Sequence, residues 1–182
     1  VLSGCAGRDF VRPAPETFKN GQTSYSEIIA KFGRPFREGS VIKNDKTVKT
    51  IGYAYASVGG QALRAGVTPA RAMGFYFLDN VLVGHEFVSS WAEDHSDFDE
   101  GKVKDIVKGK TIRAEVIALL GKPAGYYIYP MIMALPGDAA AYVYSDSRGS
   151  AFNLRFYRKQ LLVTFDVTGV VSDVEFTASG MK

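Results

Sequence analysis

Apolar residues in this chain follow two periods, and the switch between them sets the predicted elements. In "GQTSYSEIIAKFGRP" (residues 21–35), Ile28, Ile29 and Phe32 fall on one face of a 3.6-residue helix. Glu27 lies in the first turn, where the helix dipole favours an acid. Gly33 occupies the place of a left-handed C′ residue, and Pro35 bars continuation. Thr23 is a natural N-cap, or Ser24 with Glu27 forms a capping box. Downstream the period changes to two. "IGYAYAS" (51–57), "GFYFLDNVLVGHEFV" (74–88), "AAYVYSD" (140–146) and "LVTFDVTGVVSDVEFT" (162–177) alternate with aromatic and β-branched residues, which predicts strands. "LDN" and "DVTG" supply hairpin turns within the second and fourth of these.

The helical stretch has a twin. "GKTIRAEVIALLGKP" (109–123) matches it without a gap at an offset of 109 − 21 = 88, with ten of fifteen positions identical or conservative. Its Thr111, Glu115, Gly121 and Pro123 repeat the start and stop signals, and Val116, Ile117 and Leu120 repeat the apolar face. The likeness continues with a one-residue slip, so Tyr53 and Tyr55 match Tyr142 and Tyr144, and Glu86-Phe87 match Glu175-Phe176. This duplication predicts an α+β fold of two tandem repeats, each with short helices packed on its own three- to four-stranded antiparallel sheet. The predicted divisions are a tether at 1–17, one repeat at 18–95, an acidic junction at 96–103 and a second repeat at 104–180.

The N-terminal region carries a different signal. Leu2-Ser3-Gly4-Cys5 resembles the lipobox of bacterial lipoproteins, and Cys5 is the only cysteine. That resemblance implies a signal peptide cleaved before Cys5 and acyl chains on the new N-terminus. Several acyl chains, at about 0.8 kcal/mol for each buried CH₂, anchor a protein firmly. Ala6 rather than Asp at the next position implies, by the same resemblance, export to the outer membrane. Residues 6–17, "AGRDFVRPAPET", disfavour helix and strand and read as an extended tether, roughly 3 Å long for each residue.

The sequence of Gly-x-Thr, amphipathic helix, Gly-x-Pro, Tyr-rich strand and closing hairpin resembles the BamE (SmpA/OmlA) lipoprotein family. It also resembles the tandem-repeat β-lactamase inhibitor protein. The resemblance covers most of residues 17–180. The first implies a non-enzymatic scaffold or accessory subunit of an outer-membrane assembly or other envelope-spanning complex, anchored in the outer membrane and facing the periplasm. The second implies an inhibitor or sensor gripping a cell-wall enzyme, such as a β-lactamase-like hydrolase, with a concave sheet.

Composition narrows the chemistry. A net charge of +3, with no long basic run, gives no nucleic-acid footprint. A single cysteine excludes an internal disulfide framework. His85 alternates within a strand, while His95 lies among Glu93, Asp94, Asp97, Asp99 and Glu100. Those acids lack the ligand spacing and central glycine of a calcium loop, so a solvated junction is the preferred reading. No Gly-x-Ser-x-Gly elbow or phosphate loop occurs. The expectation is therefore no enzyme, no cofactor beyond lipid on Cys5, no resident metal and no small-molecule substrate, with protein partners in the envelope.

The copies differ most after the helix. The first has the polar "FREGSVIKNDKTVKT"; the second has "AGYYIYPMIMALPGDAA". The aromatic stretch serves either as a strand and core plug or as an adhesive loop, since tyrosine and methionine are enriched at binding surfaces. Tyr126, Tyr127, Tyr129, Met131 and Met133 are the candidate partner-binding residues. "VGGQALRAGVTPARA" (58–72) reads as a mobile loop between strands.

Overall fold

The computed structural model describes residues 7–150 and 152–181. Two helices, α1 (Tyr25–Phe32) and α2 (Arg113–Leu120), form where the 3.6-residue period predicts them. The strands are β1 (Arg37–Lys43), β2 (Lys46–Ala56), β3 (Ala70–Leu78), β4 (Val81–Ser89), β5 (Gly125–Tyr127), β6 (Asp138–Ser150), β7 (Asn153–Phe165) and β8 (Val171–Gly180). Short 3-10 turns lie at Pro15–Thr17 and Glu100–Asp105.

The predicted pair of separate modules is not what forms. All eight strands join one curled antiparallel sheet in the order β1 to β8. The physical reason is β5, which pairs with β4 through Gly84–Tyr127, His85–Tyr126 and Glu86–Gly125, and with β6 on its other edge. Three residues of the aromatic insertion thus turn two sheets into one.

Both helices pack on the same face of this sheet. Ile28 of α1, with Ile29 and Phe32 partly buried, covers Ile51, Tyr53, Met73, Phe75 and Phe77. Val116 and Leu120 of α2 cover Tyr142, Leu161, Val163 and Phe165. Ile117, assigned to that face by period, is 38% exposed, and Leu119 packs there instead. The hydroxyl of Tyr53 donates to the Gly33 carbonyl at 2.8 Å, and that of Tyr142 to the Gly121 carbonyl at 3.1 Å. The Tyr-rich strands therefore satisfy a carbonyl at each helix end. Gly33 and Gly121 have φ of 76° and 79°, which a side chain resists.

Of the two readings of the α1 start the capping box is the one that forms, and neither Thr23 nor Thr111 is a cap. Ser24 is the cap of α1, with Glu27 completing the capping box. Thr23 and Thr111 lie one residue earlier and accept from the backbone N–H of Lys19 and Val107. In α2 the cap position holds Ile112, whose N–H donates to the Glu115 carboxylate at 2.9 Å.

The first post-helix stretch is not a loop. It forms β1 and half of β2 around Asn44 and Asp45, whose φ values of 48° and 60° suit a tight hairpin turn. All seven residues of β1 are exposed, which fits a charged edge strand. The loop before β3 is also tied down: Leu63 N–H donates to Ser90 O at 2.8 Å, and Thr68 N–H to Ser147 O at 3.0 Å.

Burial sets a measurable contrast between equivalent helices. Ile28 is 1% exposed. Ile28→Ala is expected to cost about 2–5 kcal/mol, as buried truncations do. Ile117→Ala, on the exposed side of α2, is expected to cost less than about 1 kcal/mol. Urea titrations of both variants check the difference.

Candidate functional site

The register of the sheet places a line of small residues across the face away from the helices. Arg37, Gly52, Gly74, Glu86, Gly125, Ala141, Leu162 and Glu175 are successive cross-strand partners through all eight strands. Ala54, Ala72 and Val88 form a parallel line beside it. Because the sheet curls, the β1–β4 members of these lines floor a trough of about 540 Å³, lined also by Phe36, Thr50, Tyr76, Ser145 and Arg158. Ala72 is exposed and Gly52, Ala54 and Gly74 are half-buried, so much of the trough floor is backbone and methyl groups.

One wall of the trough is a polar cluster. Glu86 is buried, and its carboxylate accepts from the Tyr127 hydroxyl. Tyr76 and Tyr127 hydrogen-bond through their hydroxyls, with their rings at 5.6 Å and nearly perpendicular. Burial, and then the nearby Glu86 charge, push both phenol pKa values up, so both stay protonated. Arg158 reaches over from β7 to bring a guanidinium nitrogen within 3.5 Å of Glu86. This carboxylate is occupied by a phenol and a cation, an arrangement suited to holding a wall in place.

The candidate residues of the aromatic insertion divide between structure and surface. Tyr127 is 4% exposed and is part of the Glu86 cluster. Met131 packs with buried Ile132 and Tyr127 against Val143 and Leu162, on the trough side of the sheet. Tyr126 is half-buried beside His85, and Tyr129 is half-buried. Met133, at 80%, and Leu135, at 74%, are exposed. The Asn44 side-chain amide donates to the carbonyls of Pro130 and Ile132, tying the β1–β2 turn to this loop. The insertion thus covers the β5–β6 part of this face and leaves Met133 as the candidate most available to a partner. Cys5 lies outside the described residues.

Two other expectations change. Residues 7–17, read as a tether, lie against the domain: Asp9 pairs with Arg71 at 2.9 Å, Phe10 packs on Phe87 and Arg12 donates to Pro123 O. The acidic junction is not a solvated run. Glu93 and Asp94 pair with Arg71, which is 2% exposed, and Asp97 pairs with buried Lys159 at 2.7 Å. Among the described residues no group of three or more His, Cys, Asp or Glu side chains converges as a metal site.

His85 faces the helices. Its ring lies 5.4 Å from that of Phe18, and its Nδ1 has no hydrogen-bond partner. It borders a cavity of about 50 Å³ that Arg12, Pro13 and Tyr126 also line. Burial pushes its pKa down to about 4.

No family model matches this chain, and neither does any curated protein. It is similar to a solved structure from Streptococcus mutans described as a "putative beta-lactamase inhibitor protein". The identity is 14%, the TM-score is 0.40, and the match covers 92% of this chain and 89% of that one. That neighbour is described as an inhibitor, not as a barrel-assembly lipoprotein, and at this TM-score the likeness carries no argument about function.

Sequence reasoning missed the trough because glycine and alanine carry no chemical signal, and it missed the tie between Glu86 and Tyr127 because they lie 41 residues apart. Tyr127→Phe removes a donor from a buried carboxylate and is expected to cost about 1–3 kcal/mol in urea unfolding. His85 gives a pH signature. A histidine held below its ordinary pKa of about 6.5 contributes its full stability above that pH, and the contribution is lost as pH falls towards 4. Wild type is expected to lose up to about 1.4 kcal/mol for each pH unit in this window that His85→Leu does not lose, measured by unfolding at pH 7, 6 and 5.

Proposed function

We propose that this chain is a non-enzymatic, lipid-anchored binding protein that seats a projecting segment of a protein partner in the trough. The observation that carries this reading is the trough itself, an accessible floor of Gly52, Ala54, Ala72 and Gly74 rimmed by Arg37, Glu38, Thr50, Glu86 and Arg158. A small-residue floor lets a bulky partner side chain approach the backbone closely. A rim with charges of both signs offers hydrogen bonds on either side, the usual anatomy of a protein interface. The one carboxylate in the polar wall is already engaged by Tyr127 and Arg158, which favours a structural use over acid–base chemistry.

Acylation of Cys5 supplies the anchor in this reading, and the outer membrane, periplasmic side, is the proposed location. The partner is an envelope protein. A scaffold and an inhibitor would both use this contact, and they differ in what happens to the partner after capture.

Gly52 provides a clean test. A Cβ there meets only the Met73 carbonyl, at 3.7 Å, so a side chain fits and projects into the trough. Gly52→Leu is expected to fold with unchanged or slightly raised melting temperature, since glycine within a strand is destabilising by roughly 0.5–1 kcal/mol. It is expected to lose at least ~10-fold in capture of the envelope partner held by wild type, read from matched pull-downs of solubilised envelopes. Equal capture by both proteins contradicts the trough as the binding site. Loss of a hydrolase's activity on capture marks an inhibitor, and recovery of a stable multiprotein complex marks a scaffold.

A further inference from the structure

The connections of the sheet sort to two ends of unlike character. At one end lie the Asn44–Asp45, Asp79–Asn80 and Asp166–Gly169 turns, each bearing an aspartate. At the other lie the loop of residues 57–69, the β6–β7 hairpin tip and the start of the described chain. Their proximity follows from pairing: Val67 bridges Arg148, Thr68 N–H donates to Ser147 O, and Gly7 lies beside the Ala54 carbonyl.

This second end exposes apolar side chains. Phe152 is 101% exposed, Phe156 63% and Leu154 50%, and Met181 and Val58 are exposed beside them. None of them belongs to the three core clusters. Most cations near this end are already paired: Arg148 with Asp146, Arg64 and Lys159 with Asp97, and Arg158 with Glu86 across the trough. Arg8 and Arg155 are exposed. Leu154 and Phe156 alternate with Arg155 on the long β7 strand, so the apolar tip carries an exposed guanidinium.

The packing of residues 7–17 determines how this end can be held. Because Asp9, Phe10 and Arg12 are fixed to the domain, only Ala6 separates Cys5 from the docked chain at Gly7. Two extended residues reach about 7 Å. Acyl chains on Cys5 would therefore bring this end, and no other, to the lipid surface.

We propose that the β6–β7 hairpin tip, through Phe152, Leu154 and Phe156 with Arg155 beside them, inserts into the interface of an anionic phospholipid leaflet next to the lipid anchor. The inference rests on acylation of Cys5 as read above. Exposed aromatic and aliphatic side chains enter the headgroup region, and flanking arginines meet lipid phosphates. Two contacts, one covalent and one from the hairpin, hold the domain in a single orientation, with its aspartate-bearing turns directed away from the membrane.

The test uses the full chain carrying Cys5→Ser, so that the hairpin is read without the acyl chains. This protein is expected to float with phosphatidylglycerol-containing vesicles at low salt, to float less at high salt, and not to float with phosphatidylcholine vesicles. Adding Phe152→Ser, Leu154→Ser and Phe156→Ser is expected to lower the bound fraction at least ~10-fold while the melting temperature holds, because all three side chains are exposed. Phe152→Trp alone is expected to keep flotation and to show blue-shifted emission quenched by brominated lipid. Equal flotation of the triple variant, or no flotation of the Cys5→Ser protein with any vesicle, overturns the proposal. Loss of partner capture by the triple variant without any vesicle binding would make the hairpin a protein contact and would likewise overturn it. Mass spectrometry of the protein extracted from envelopes reads acylation separately, so failure of the anchor reading and failure of the hairpin proposal are told apart.

Discussion

The close approach of β5 to β4 is the contact on which the rest of the molecule depends. A Cβ on Gly125 would sit 1.7 Å from the His85 carbonyl, so no side chain is tolerated there. A Cβ on Gly84 would sit 2.5 Å from the Tyr127 ring, so the ring packs only because Gly84 is bare. These two glycines let a three-residue strand bridge halves that would otherwise present two edges. Past the end of β5, β4 and β6 run beside each other, with β6 parallel to β4. Continuity lets Arg158 of β7 reach Glu86 of β4, and it makes the trough a single surface rather than two shallow ones.

Much of the local structure was legible in the sequence. The helix faces, the Gly33 and Gly121 stops and the alternating strands follow from period and from φ requirements that glycine meets. What pairs with what was not legible. A strand of three residues is too short to show alternation, so the aromatic stretch read as either strand or loop, and the duplication pointed to two sheets. The strand β1 was hidden by its polarity, because an edge strand exposed along its length carries no apolar signal. The acidic junction looked solvated because its partners Arg71 and Lys159 lie 23 and 62 residues from Asp94 and Asp97, and charge pairing at such separations leaves no local pattern. The aromatic insertion was the most ambiguous stretch: Tyr127 and Ile132 turned inward and Met133 outward, a division that composition cannot make.

The two faces of the sheet now have separate tasks. The helix face carries both helices and two of the three core clusters. The opposite face, cleared of bulk by glycine and alanine, remains accessible over β2 and β3 and is covered over β5 and β6 by Met131 and Ile132. Selection for packing alone would fill Gly52 and Gly74, where a Cβ meets no atom closer than 3.5 Å. Leaving those positions bare sacrifices strand propensity for access to the backbone, the signature of a surface kept open for an incoming group.

The central claim is that the trough, and not the helix face, meets the partner. Site-specific photocrosslinking in living cells tests it most directly, with a benzophenone side chain placed at Ala72 on the trough floor or at Ala118 on the exposed side of α2. The account predicts a discrete crosslinked protein adduct from position 72 and none from position 118. An adduct from position 118 alone would contradict it.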